Sequence, residues 1–408
     1  MSVLSLPAAF KRLAWSNLAA QTAEQIGLAA APLIAVLTLG AGAGETGLLQ
    51  TAQTLPFLLL SFPAGVLADR SSRRRLMAGA EALRALSLLG ILMLAGTGLL
   101  TLPLLAALGF LGAAGTVAYS VTAPSLVPAL VPRADLAAAN GRIELARAVA
   151  FVAGPALAGA LIARIGAAPS YAVAAALSAL AVLLLAGIAE PARTTAPARR
   201  FLQDLREGAG FAFRHPLLRP VLLTAVFFNT AWFVLQAVYV PYAIHHLGLD
   251  AAGVGTTLAT YGVGMVAGAL LAPRIARRVA FGTLVSIGPM AGLASALVMA
   301  ATIRFPSIEL ACASFFLIGA GPILWVISST TLRQAVTPAD RLGRVGAIVT
   351  MATAGARPLG AAIGAVVGAA YGAETCLLVS LAGFAIQAAV ILASPVARLI
   401  ALPEVVEG

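Results

Sequence analysis

Charge is scarce in this chain. Only 10% of its 408 residues are Asp, Glu, Lys or Arg, while 61% are hydrophobic. Soluble domains carry about 25% charged residues, so that balance excludes a water-soluble globular fold. Lys11 is the only lysine. A phosphate-binding P-loop needs Gly-Lys-Ser/Thr, and Phe10 precedes Lys11, so the chain has no such loop. Any pumping then draws on an ion gradient or a partner. Cysteine is also scarce: Cys312 and Cys376 both lie in apolar runs and define no disulfide framework. His215 falls in a loop, and His245 and His246 lie at a helix end. They form no cluster with carboxylates at metal-ligand spacing and no nucleophile–base pair. No metal, no cofactor and no enzyme active centre is expected.

What is present is length of apolar sequence. A membrane helix needs roughly 20 apolar residues, so 408 residues make room for about a dozen. The net charge of +11 then reads as Lys and Arg retained in cytoplasmic loops rather than as a nucleic-acid surface. Lys11 and Arg12 precede the first apolar stretch, but no small-residue cleavage site follows. That stretch reads as a spanning helix, not a removable signal.

In order, the spans are expected at about 13–39, 46–68, 76–94, 102–127, 136–162 and 169–188 in the first half. They continue at about 221–245, 253–273, 282–303, 308–332, 344–370 and 375–394. Between the halves, residues 190–220 hold Arg193, Arg199, Arg200, Arg206, Arg214 and Arg219 and no bilayer-length apolar run. Within them, 203–213 has the character of an amphipathic helix on the inner membrane surface. The domains expected are a six-helix bundle over 1–189, a cytoplasmic linker over 190–220 and a second bundle over 221–408. Nearly all loop arginines fall in connectors 2–3, 4–5, 6–7, 8–9 and 10–11. Arg164 and Arg304 are the exceptions on the other side. An even number of spans with both termini cytoplasmic satisfies this asymmetry.

The sequence also repeats at about half its length. Gly65-x-Leu67 with Arg74 and Arg75 recurs as Gly268-x-Leu270 with Arg277 and Arg278. Val131-Pro132-Arg133-Ala134-Asp135 recurs as Val336-Thr337-Pro338-Ala339-Asp340. The second copy has Ala272 where the first has Asp69, which marks Asp69 as a charge with a particular task.

The connector Gly65-Val66-Leu67-Ala68-Asp69-Arg70-Ser71-Ser72-Arg73-Arg74-Arg75 resembles the loop signature between the second and third helices of the major facilitator superfamily. Ser72 departs from it, standing where that family usually has Gly. The resemblance implies an all-α membrane protein of twelve transmembrane helices in two pseudo-symmetric six-helix bundles. It also implies alternating access around a midplane site, working in principle as a monomer. Gly65, Asp69, Arg70 and Arg74 would form its conformational gating loop, Asp69 latching near Gly343 and Arg344. The arginine that this family often carries in its fourth helix is absent from 102–127.

Candidate site residues lie at membrane depth. Asn17, Gln21, Glu24 and Gln25 share one face of the first span, and a polar stripe belongs inside the bundle or on a water-filled cavity. Glu24 is the candidate proton-coupling group; pairing with Arg147 or Arg357 for structure alone is the other reading. Asn229, Trp232, Gln236 and Tyr239 form the corresponding stripe of the seventh span, as substrate-cavity lining or as ordinary helix packing. Arg147 and Arg357 sit in repeat-mated spans. Glu144 is placed to neutralise Arg147, and Glu81 to pair with Arg84 as a structural i,i+3 couple. Arg357 is left for Glu24 or a substrate anion.

Gly154, Pro155 and Gly159, with Gly141 upstream, partly resemble the helix-5 motif of antiporters in this superfamily, Ala150 and Ala158 replacing two of its glycines. Small-residue packing accounts for them equally. Asp69-Arg70 with Glu81-Ala82-Leu83-Arg84-Ala85, Leu130-Val131-Pro132 with Ala139-Asn140, and Glu207-Gly208 with Arg214-His215-Pro216-Leu217-Leu218-Arg219 narrow the likeness. Together they resemble its enterobactin-exporter and macrolide-efflux branch. That implies export of a siderophore-like or drug-like compound, anionic or zwitterionic by the cavity's charge, in exchange for protons across a bacterial inner membrane. Uptake or lysophospholipid flipping by the same fold, and a transport-dead sensor or partner subunit, are the alternatives. The histidine pair at the end of the seventh span is placed to sense external pH, though an interfacial helix end is the plainer account.

Overall fold

A computed structural model describes residues 7–132, 135–190, 201–338 and 341–403, the side chains of Asp69, Arg70, Ala137, Ala138 and residues 201–205 excepted. The expected all-helical architecture is what it contains. The first half runs α1 (Ala8–Leu37), α2 (Ala43–Arg70), α3 (Arg73–Gly96), α4 (Leu102–Leu130), α5 (Leu136–Ile165) and α6 (Ala167–Ala186). The amphipathic segment is α7 (Phe201–Arg214). The second half runs α8 (Leu218–His245), α9 (Ala251–Ala276), α10 (Phe281–Ala301), α11 (Ile308–Val336) and α12 (Leu342–Leu392), closed by a short 3-10 turn at Pro395–Arg398.

Among the described residues, eleven helices are long and apolar enough to cross a membrane. The eleventh and twelfth expected spans are both carried by α12, whose 51 residues depart from helical geometry at one residue, Gly372 (φ 82°, ψ 173°). The sequence suggested a short connector over 371–374. Instead the turn is made by one glycine in a backbone region that is essentially glycine-only, and Thr375 Oγ1 donates to Tyr371 O (2.9 Å) across the bend.

Proline lies inside most of these helices, as at Pro32, Pro56, Pro63, Pro124, Pro155 and Pro358. Transmembrane helices tolerate it because neighbouring helices and hydroxyls satisfy the freed backbone groups. Hydroxyls are themselves satisfied locally: Thr22, Thr122, Ser286 and Thr353 each donate to the carbonyl four residues earlier.

The chain forms two compact units. The first comprises the described parts of 1–41, 52–197 and 249–259. Phe10, Leu13, Met77, Tyr119, Leu126, Ala181 and Leu185 are in its core. Within it α5 and the start of α9 approach to backbone contact: a Cβ on Gly159 would lie 2.4 Å from Ala251 O. The second comprises the described parts of 42–51, 198–248 and 260–408. There the start of α2 lies as close to α12, a Cβ on Gly47 falling 2.4 Å from Ala365 Cα. Its core includes Val234, Val238 and Cys376 between α8 and α12. Ala212, Leu222 and Val345 seat α7 against the base of α8 and α12.

Candidate functional site

In the first unit the polar stripe of α1 meets α3. Arg84 and Glu81 lie one turn apart on α3, and the Arg84 guanidinium grips Glu81 twice, through Nε–Oε2 (3.3 Å) and a closer Nη2–Oε1 contact. Its Nη1 donates to Thr116 Oγ1 on α4 (3.0 Å) and reaches Glu24 Oε2 on α1 at 3.4 Å. Glu81 is completely buried and the Arg84 side chain 5% exposed, whereas the Glu24 side chain is 20% exposed. Two glycines set this spacing. A Cβ on Gly115 would stand 2.4 Å from Ala80 O, so glycine there lets α4 lie on α3 beside Arg84. A Cβ on Gly154 would stand 2.3 Å from Gln25 Cβ, so α5 presses onto α1 next to Glu24.

The triad holds two carboxylates and one guanidinium. Fully ionised it carries one negative charge in an apolar interior, and one proton makes it neutral. The Glu81–Arg84 couple expected as a structural pair is therefore also the counter-ion system of Glu24. Arg84 is sixty positions from Glu24; the i,i+3 spacing to Glu81 signalled the pair, but no spacing signalled the third member.

The other candidates divide into separate places. Arg147 pairs with Glu144 on α5 (2.6 and 2.9 Å), at 36% and 61% side-chain exposure. Asn17 is buried and Gln21 half-buried on α1. In the second unit Asn229 donates to Ala225 O (2.9 Å), within its own helix. Trp232 stacks on Tyr261 of α9 (5.4 Å, 21°) and meets the ring of Phe315 on α11 edge-on (6.0 Å). Tyr239 is fully buried against the same Phe315 (4.6 Å), and Gln236 is half-buried. Tyr261 and Phe315 complete an aromatic group that reading α8 alone did not anticipate. The Arg357 guanidinium of α12 lies 5.8 Å over the Phe233 ring of α8, where Gly360 lets α12 approach Thr230 O.

The arginine-rich connector is tied where α3 starts and α6 ends. Arg74 donates to Ala186 O and Ile188 O (3.1 Å each), and Arg12 donates to Gly187 O. In return Glu190 accepts from Ser72 Oγ (2.5 Å) and from the amides of Arg73 (3.0 Å) and Arg74 (3.2 Å). Partial burial works to raise the Glu190 pKa. The hydrogen bonds from Ser72 and the two amides, with the charge of Arg73, outweigh it and hold the carboxyl below its usual range.

Gly65 is not crowded: a Cβ there would meet Val121 at 3.7 Å, an ordinary contact, whereas its repeat mate Gly268 would place one 2.2 Å from Ala320 O. The side chains of Asp69 and Arg70 lie outside those described. Arg344, expected opposite Asp69, donates to Glu207 on α7 (2.7 Å), and the Arg341 guanidinium covers the Phe211 ring (5.6 Å).

The sequence profile of the family described as transmembrane secretion effector matches residues 8–404. The chain is 29% identical over 360 residues to the multidrug efflux pump Tap of Mycobacterium tuberculosis, covering 85% of this chain and 84% of that protein. It is 29% identical over 333 residues to the uncharacterized MFS-type transporter y4rN of Sinorhizobium fredii, covering 79% of each. Among solved structures, the nucleoside transporter NupG superposes with a TM-score of 0.75 at 14% identity, over 95% of this chain and 99% of that one. That level of identity speaks for the fold alone.

Proposed function

The chain belongs to the transmembrane secretion effector family of major facilitator transporters, and from that premise we propose that it exports small or mid-sized organic compounds from a bacterial cytoplasm by proton antiport. It is a multi-pass membrane transporter rather than an enzyme. Efflux is favoured by its likeness to the pump Tap. In this reading both termini are cytoplasmic, residues 1–189 and 221–408 are the two moving halves, and alternating access carries the substrate.

The observation that carries the coupling is the Glu24–Arg84–Glu81 triad. A charge at membrane depth is costly. One proton bound to the triad removes its surplus charge while Arg84 keeps a carboxylate partner. Glu24, the more exposed acid at the longer 3.4 Å contact, is the one that takes up and releases that proton. Glu81 stays with Arg84.

The test is substrate-driven proton movement in inverted membrane vesicles, using a panel of anionic siderophores and cationic drugs. Wild type is expected to dissipate the proton gradient with at least one compound, and Glu24→Gln to lose that response at least ten-fold while still binding the compound. A Glu24→Gln protein that moves protons as wild type does sinks the coupling assignment. A wild type that moves none with any compound sinks antiport itself.

A further inference from the structure

At the opposite end of α8 from α7, one histidine is held by three elements of the second unit. His246 caps the C-terminus of α8, its amide donating to Tyr242 O (2.9 Å). Its ring Nδ1 lies 3.0 Å from Glu374 Oε1, two residues past the bend of α12. Its Nε2 lies 3.2 Å from Ile303 O, in the turn that follows α10. The ring is stacked on Tyr242 (4.9 Å, 15°), whose hydroxyl is fixed by Thr302 (2.7 Å).

Both partners of the imidazole are acceptors. A neutral imidazole has one N–H and one lone pair, so it can satisfy Glu374 or Ile303 but turns its lone pair toward the other. Both contacts are made only when the His246–Glu374 pair holds two protons, either as imidazolium and carboxylate or with the second proton shared along the 3.0 Å contact. The C-terminal end of a helix also favours positive charge. The other groups around the ring do not replace that proton. Tyr242 is engaged with Thr302, His245 is exposed on the same helix, and Arg304 is exposed in the turn after α10.

We propose that His246 is a proton-operated clasp. When protonated it ties the end of α8 both to the turn after α10 and to the bend of α12, and on losing the proton it holds only one of them at a time. By the arginine asymmetry of the sequence, this corner faces away from the cytoplasm. The clasp therefore reads the acidity of the medium into which the protein exports, and it stands independently of which ion drives transport. The sign is fixed: contact is strongest in acid and weakens as pH rises.

The experiment is hydrogen–deuterium exchange of the full chain in lipid nanodiscs, at about pH 5.5 and about pH 8.5, corrected for intrinsic exchange chemistry. Protection of segments 300–306 and 370–378 is expected to be several-fold greater in acid for wild type and for His245→Gln. In His246→Gln and Glu374→Gln the difference should vanish. A wild type whose protection there does not change with pH overturns the proposal, as does a pH dependence that survives in either clasp variant.

Discussion

Arg74 and Glu190 secure one corner of the first unit in opposite senses. Arg74, in the first turn of α3, donates to the carbonyls of Ala186, the last residue of α6, and of Ile188 just beyond it. Glu190, just past the end of α6, accepts the Arg74 amide at the start of α3. Each helix end therefore receives charge of the sign that its dipole favours.

That exchange predicts a pH-dependent cost for Glu190→Gln. The folded carboxyl is held below its usual range, so its contribution is present above the ordinary carboxylate pKa and is lost as pH falls through the lowered value. The variant should lose about 1 kcal/mol at neutral pH, the usual worth of a helix cap, and should match wild type in strong acid. Thermal unfolding in detergent at both pH values measures this; an equal loss at both would sink the charge argument.

Arg84→Met leaves Glu81 buried without its counter-ion, which costs about 3–5 kcal/mol, and the variant should fail to accumulate in the membrane. Glu81→Leu combined with Arg84→Met removes the buried pair, a replacement that is often neutral, and leaves the more exposed Glu24 to be neutralised by a proton of its own. The double variant should accumulate at near wild-type levels yet lose proton coupling. Immunoblots and the vesicle assay read the two effects separately.

Two glycines of the candidate motifs should part company on substitution. Gly154→Ala forces a methyl into Gln25 and should cost about 1–3 kcal/mol, as overpacking does. Gly65→Ala meets only an ordinary contact with Val121 and should unfold at the wild-type temperature. Comparable losses in both would show that the crowding at Gly154 is not what destabilises it.

Gly372→Ala puts a side chain where the backbone turns at φ 82°, a cost of about 1–3 kcal/mol. Gly343→Ala, which meets nothing within 4 Å, is its control. Thermal unfolding of the two variants should separate clearly.

The helices were legible because hydrophobic length is a property of contiguous sequence. Even the amphipathic segment read at 203–213 appears as α7, Phe201–Arg214. The pairs Glu144–Arg147 and Glu81–Arg84 were legible for the same reason, since three positions apart on a helix means adjacent. Glu24 and Arg84 were not joined in advance, because which faces of α1 and α3 meet depends on packing across sixty positions. Glu190 was passed over because it sits in a segment read only as linker; its role follows from where α6 ends, not from its neighbours. Tyr261 and Phe315 were missed likewise, their tie to Trp232 running between α8, α9 and α11.

The bend of α12 has a mechanical meaning. Two arms, each anchored by packing along its length, meet at a single residue with no intervening loop to absorb movement. Such an elbow leaves little slack: Glu374 stands two residues beyond the pivot, so the set of the second arm fixes where its carboxylate meets His246.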